Sequence, residues 1–100
     1  MSVIVIGHMT VDPANVEALW RDRRADFEAV AKAAKDVGAI HHQWAFGDNE
    51  VVIIDEWPDA ASFEQFFGSQ TTIAELMQAG GVQAPPTFEF LEAKVGPDAF

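Results

Sequence analysis

Glu50-Val51-Val52-Ile53-Ile54-Asp55-Glu56-Trp57 sets four β-branched residues in a row and follows them with two carboxylates and an indole. The residue types and the length are those of a β-strand. Side chains alternate along a strand, so Val51, Ile53, Asp55 and Trp57 share one face, and Val52, Ile54 and Glu56 share the other. Both faces are apolar for most of their length. A half-exposed antiparallel strand would alternate apolar with polar, so this one is expected at the centre of a sheet covered from both sides. Val3 to Val11 repeats the pattern, with Val3, Val5, Gly7 and Met9 on one side and Ile4, Ile6, His8 and Thr10 on the other.

Upstream of the central strand, Ile40 to Phe46 puts Ile40, His42, Trp44 and Phe46 on one face and His41, Gln43 and Ala45 on the other. Gly47-Asp48-Asn49 supplies a tight turn into Glu50, which makes an antiparallel hairpin. Before that strand, Asp12-Pro13 starts a helix that is expected to run to about Val37 and stop at Gly38. Val16, Leu19, Trp20, Phe27, Val30, Ala31 and Ala34 form its apolar stripe, and Arg23 falls near the stripe's centre. Downstream, Pro58-Asp59 ends the central strand and caps a second helix carrying Phe63, Phe66 and Phe67, which Gly68-Ser69 breaks. Thr72-Ile73-Ala74-Glu75 has the spacing of a capping box, so a short further helix is expected to run to Gly80-Gly81. Pro85-Pro86 leads into a last strand, Thr87 to Val95.

Strand, helix, strand, strand, helix, strand in one domain over residues 1–100 predicts an α+β, ferredoxin-like βαββαβ fold with a four-stranded antiparallel sheet. Right-handed crossovers place both helices on one face. The other face, which holds Ile4, Ile6, Val52 and Ile54 in one of the two possible assignments, is then bare, and a second copy is its simplest cover. A face-to-face homodimer is therefore expected.

The composition narrows the function. With 49% apolar residues the chain is a folded domain, and with no cysteine it has no disulfide, thiol nucleophile or thiolate metal site. That fits a cytoplasmic location. A net charge of −10, with only 6 Lys and Arg, argues against nucleic acid and anionic membranes as partners. The apolar N-terminal run is interrupted by Gly7 and His8 and reads as a strand, not a signal peptide. Gly-rich phosphate loops, a Gly-x-Ser-x-Gly elbow and a dinucleotide fingerprint are all absent.

The βαββαβ order, the Asp55-Glu56-Trp57 strand end, Pro58-Asp59 and Phe63-Glu64-Gln65-Phe66-Phe67 together resemble the antibiotic biosynthesis monooxygenase (ABM) domain of the dimeric α/β barrel superfamily. The resemblance spans Ser2 to Val95. It implies a ferredoxin-like subunit that dimerises through its sheet into an α/β barrel, with a small-molecule cleft between sheet and helices. Members include cofactor-independent monooxygenases of polycyclic phenols, heme-degrading monooxygenases and isomerases. Heme-degrading members resemble this chain at Trp57, but their first-strand asparagine falls at Gly7. Their heme-ligating histidine falls near Leu76, and Ile73 to Met77 contains no histidine. Heme degradation is therefore not expected, and no cofactor is implied.

Matching Trp57 to the cleft tryptophan of those relatives puts Val51, Ile53 and Asp55 under the helices with Val5, Gly7 and Met9, and Gly7 would leave room for a ligand. Arg23 on an apolar stripe is costly unless paired, so it is expected to meet Asp55 or an anionic ligand oxygen. A purely internal pair, or a side chain reaching to solvent, accounts for it equally well. His42 shares its face with Ile40, Trp44 and Phe46 and is the pocket candidate, while His8 falls to the dimer side. His41 and His42 point to opposite faces and cannot chelate one metal ion.

The candidate catalytic set is therefore His42, Arg23, Trp57 and Asp55, with no metal. In the oxygenase reading, His42 deprotonates a phenol or quinol, Arg23 stabilises the oxyanion, and Trp57 with the phenylalanines keeps water out. A cyclase or isomerase needs only the base and the anion stabiliser. A non-catalytic dimer that binds a small aromatic or anionic metabolite uses the same cleft.

Overall fold

A computed structural model describes residues 1–100. The elements are β1 (Val3–Met9), α1 (Pro13–Asp22), α2 (Arg24–Asp36), β2 (His41–Gly47), β3 (Glu50–Trp57), α3 (Ala60–Ser69), α4 (Thr71–Gly80) and β4 (Thr87–Glu92). The four strands form one sheet in the order β2-β3-β1-β4, antiparallel throughout. This is the ferredoxin-like arrangement read from the sequence, and the β-branched run Val51–Ile54 lies in an interior strand. No helix is long and apolar enough to cross a membrane.

Local chemistry sets most boundaries. Asp12 accepts a hydrogen bond from the Ala14 N–H at 3.0 Å, and Pro13 occupies the first helical position, where its missing N–H costs nothing. Asp59 accepts from the Ser62 N–H at 2.7 Å, and hydrogen bonding from the Ser62 side chain, then from this N–H, holds its carboxyl below the usual aspartate range. Gly81 ends α4 in the left-handed conformation at φ 83°, where a side chain would be strained. Strands β1 and β4 stop short of the expected Val11 and Val95, and β2 begins at His41, although the Ile40 N–H still bonds to the Glu56 carbonyl at 2.9 Å.

The expected single helix from Pro13 to Val37 is two helices. The break falls at Arg23, whose φ of −129° and ψ of 37° leave the helical region. A continuous helix would hold this guanidinium over the apolar sheet, a costly position for an unpaired cation. The break turns it outward, to Asp26 at 2.8 Å and towards Glu75 of α4 at 3.9 Å. The expected capping box is not formed either. Helix α4 starts two residues earlier, with Gln70 in place of Thr72 as its N-cap and without a side-chain cap, and the Glu75 carboxylate faces Arg23 instead.

Register assigns the faces. Val5 pairs with Asp55 and Phe90, and His42 with Asp55, so Val5, Val51, Ile53, Asp55, Trp57, His42 and Trp44 all face the helices. Ile4, Ile6, His8, Val52, Ile54 and Leu91 lie on the opposite face, which no element of the chain covers. At one end of that face both ring nitrogens of His8 meet carboxylates, Nδ1 the Glu50 Oε1 at 3.1 Å and Nε2 the Glu89 Oε1 at 2.8 Å. Hydrogen bonds to Glu50 and then Glu89 raise the His8 pKa above 6.5. A raised folded value means that the stabilisation is complete below the unfolded value and is lost as pH rises through the folded one. Replacing both glutamates by glutamine is expected to return the His8 titration midpoint, followed by NMR, towards 6.5.

Candidate active site

Only 11 of the 100 residues are buried. Two small apolar clusters hold the layers together, one around Val5, Trp57, Phe63 and Phe66 and the other around Val11, Val16 and Val51. Among the residues of these clusters lies a cavity of about 400 Å³. Its floor is the helix-facing side of β1, β2 and β3, and all four helices contribute to its walls. Twenty-two of its 28 lining residues are hydrophobic, so the few polar ones decide what it can do. They are Glu28, Lys35, His42 and Asp55. A smaller hollow of about 270 Å³ formed by residues of α2 and α3 is lined by Ser62, Gln65, Ser69 and Gln70 together with apolar residues, and has no titratable group.

His42 and Asp55 are directly opposed in the β2–β3 ladder. The His42 Nδ1 lies 2.6 Å from Asp55 Oδ1, and the Trp57 Nε1–H donates to Asp55 Oδ2 at 3.1 Å. Asp55 is 5% exposed and Trp57 2%, whereas the His42 side chain is half exposed, at 49%. A carboxylate that accepts at both oxygens requires Nδ1 of His42 to be the donor. In the neutral ring Nε2 is then left as a proton acceptor. The indole fixes the carboxylate and the carboxylate fixes the imidazole. An arrangement of this kind can orient a general base. The Trp44 ring lies edge-on to the imidazole at 5.7 Å and limits its tilt from the other side.

Of the four residues expected in the site, the structure brings His42, Asp55 and Trp57 together and leaves Arg23 out. Arg23 does not line the cavity, and its expected contact with Asp55 is not made, because both oxygens of that carboxylate are already taken by His42 and Trp57. Phe63 and Phe66 pack on Trp57 at ring separations of 5.6 and 5.3 Å and seal one side. Phe88 of β4 was not singled out in the sequence, and Trp20 and Trp44, placed there only on their faces, pair 5.7 Å apart. An aromatic at a helix-facing position is their only sequence signal.

Gly7 does not leave room for a ligand. A Cβ built there would lie 2.8 Å from both Ile53 Cγ1 and Phe88 Cε1, so neighbouring side chains already occupy the space. The glycine lets Phe88 cross β1 and reach Phe63 and Phe67, each at 5.0 Å between rings. Gly7→Ala is accordingly expected to destabilise the fold by about 1–3 kcal/mol through overpacking, readable as a lower urea midpoint with unchanged slope.

Neither a family model nor a curated protein matches the sequence. Solved structures do match in fold. An antibiotic biosynthesis monooxygenase superposes with a TM-score of 0.64 at 17% identity, covering 93% of this chain and 99% of its own. A monooxygenase from the gene ActVA-Orf6 of Streptomyces coelicolor, solved with the ligand nanaomycin D, gives 0.67 at 19% identity, with 95% and 89% covered. SnoaB from Streptomyces nogalater, a cofactor-independent oxygenase, gives 0.56 at 19% identity, with 97% of each chain covered. The chain therefore has the fold of ABM-type proteins over nearly its whole length.

Proposed function

From the ABM-type fold and the His42–Asp55–Trp57 relay in its cavity, we propose that this chain is a cofactor-independent monooxygenase of small phenols or quinols. The observation that carries the reading is the 2.6 Å contact between His42 and a buried carboxylate in a cavity otherwise almost wholly apolar. An apolar cavity of this size suits a fused aromatic ring system. His42 Nε2 takes the phenolic proton, and the electron pair delocalises to a ring carbon. That carbon forms a C–O bond to dioxygen. Loss of its remaining C–H proton with cleavage of the O–O bond then gives a carbonyl and releases the second oxygen atom as water. The four electrons that O₂ accepts all come from the substrate, so no outside reductant is required. Apolar walls around Trp57 and Phe63 keep water from protonating the carbanion first.

The test is oxygen uptake by purified, metal-free protein with anthrone-like and naphthol-like compounds, against heat-treated protein. One O₂ consumed per quinone formed, saturably and only with folded protein, is the expected result. Proton exchange at the ring carbon without oxygen uptake would replace this reading with an isomerase.

In the same reading a second copy covers the open sheet face. Its support is the row of Ile4, Ile6, Val52 and Ile54 in the middle of that face, with Leu91 50% exposed beside them. Ile54→Lys, a charge at the centre of such an interface, is expected to halve the mass measured by light scattering without unfolding the chain.

A further inference from the structure

Among the residues that line the cavity, four are exposed: Glu28, Ala31 and Lys35 on α2, and His42 on β2. They mark its mouth. Glu28, Ala31 and Lys35 are spaced at i, i+3 and i+7, so they run along one side of the helix and form one lip. His42 stands on the other. Residues 37–40 turn the chain from the last turn of α2 into β2, which places Lys35 and His42 at the same end of the opening. The opposite end carries Glu28, whose charge is taken up by Arg24 at 2.8 Å.

Lys35 differs from the other side-chain cations. The chain has 6 Lys and Arg against 16 Asp and Glu, and five of the six hold a carboxylate oxygen at 2.8 or 3.1 Å: Arg21, Arg23, Arg24, Lys32 and Lys94. Lys35 has none within 4.0 Å. In a protein so rich in carboxylates, the one side-chain cation left without a partner stands at the mouth of the cavity, on the side of the base.

We infer that Lys35 selects a ligand whose acidic substituent, a carboxylate or its equivalent, sits beside the hydroxyl that His42 receives. This rests on the cavity being the ligand site proposed above. The rings lie among the apolar walls, the hydroxyl meets His42 Nε2, and the acid projects through the mouth to the Lys35 ammonium. An uncharged ring system fits the same walls but leaves that contact unmade. The reversed orientation would bring the acid to the Glu28–Arg24 pair, whose guanidinium already holds a carboxylate, and so offers no free cation.

Calorimetric titration with 3-hydroxy-2-naphthoate and with 2-naphthol tests this. The two probes share rings and hydroxyl and differ in the acid. The naphthoate is expected to bind roughly two- to fivefold more tightly, the range of a solvent-accessible ion pair, and the advantage should shrink as salt is added. Lys35→Gln should remove it and leave 2-naphthol unchanged, and Lys35→Glu should reverse it. Lys32→Gln changes net charge equally on the same helix, but that residue pairs with Asp36 away from the cavity, so it should leave the advantage intact. Equal affinity for the two probes, or a Lys35→Gln effect of the same size on both, would overturn the role of Lys35 and leave the cavity as a ligand site. Binding of neither probe would overturn both.

Discussion

Replacing His42 by glutamine is expected to lower oxygen uptake by about 10²–10⁴-fold, the usual contribution of a positioned general base. The loss should appear in turnover, not in folding. The His42 side chain is about half exposed, and glutamine can still donate to the Asp55 carboxylate, so thermal melts of variant and wild type should nearly coincide. Asp55→Asn probes the same relay from behind. The amide has one acceptor oxygen where the carboxylate had two, and both His42 Nδ1 and the Trp57 N–H now need an acceptor. If the oxygen serves Trp57, the amide N–H₂ faces His42 and forces Nδ1 to accept; the ring proton moves to Nε2 and the base is lost. If the oxygen serves His42, the amide donor meets the indole donor. Either arrangement lowers turnover, and the buried mismatch lowers stability by about 1–3 kcal/mol as well. A fall in turnover without a change in melting for His42→Gln, beside a fall in both for Asp55→Asn, separates the base from its support. Full uptake in His42→Gln would remove His42 from the chemistry.

Most of the fold could be read in advance because the signals that specify it are local and repeated. The β-branched run of β3, the Asp12-Pro13 and Asp59 caps and the terminating glycines each act on a few neighbouring residues. The failures have a different origin. Arg23 sits at helical spacing between Leu19 and Phe27, and nothing in the pattern shows that the helix breaks there to release it. The break answers to a tertiary cost, that of a guanidinium held over the sheet. Gly7 was expected to leave space, and that space is filled by Phe88 of β4, a residue 81 positions away in sequence whose approach no local pattern encodes.

His42, Asp55 and Trp57 were placed in the site from the sequence, but the direct pairing of His42 with Asp55 was not, because it depends on the exact turn. Counting Gly47-Asp48-Asn49 as the turn opposes Phe46 to Glu50 and therefore His41 to Asp55. In the structure Gly47 belongs to β2 and pairs with Glu50, and only Asp48 and Asn49 turn, with Asn49 at φ 52°. That shift brings His42 opposite Asp55. In a ladder of period two, a single step decides which histidine meets the carboxylate.

Trp57→Ala is expected to be the most destabilising single change in the chain. The indole is 2% exposed, packs on Phe63 and Phe66, and belongs with Val5 to the larger of the two core clusters. Deleting a buried aromatic of this size costs about 3–5 kcal/mol, and for a domain of this length that lowers the melting temperature by roughly 15–30 °C. The wall of an existing cavity is lost along with the packing, so the new void merges with that cavity and cannot collapse. Trp57→Phe separates the two roles of the residue. It keeps a ring against Phe63 and Phe66 but removes the Nε1–H, so Asp55 Oδ2 loses its donor while His42 keeps Oδ1. The expected cost is about 1–2 kcal/mol, with a fall in oxygen uptake out of proportion to it, because the carboxylate is then held from one side only. If Trp57→Phe instead melts lower but turns over normally, the indole serves packing alone, and the relay ends at Asp55.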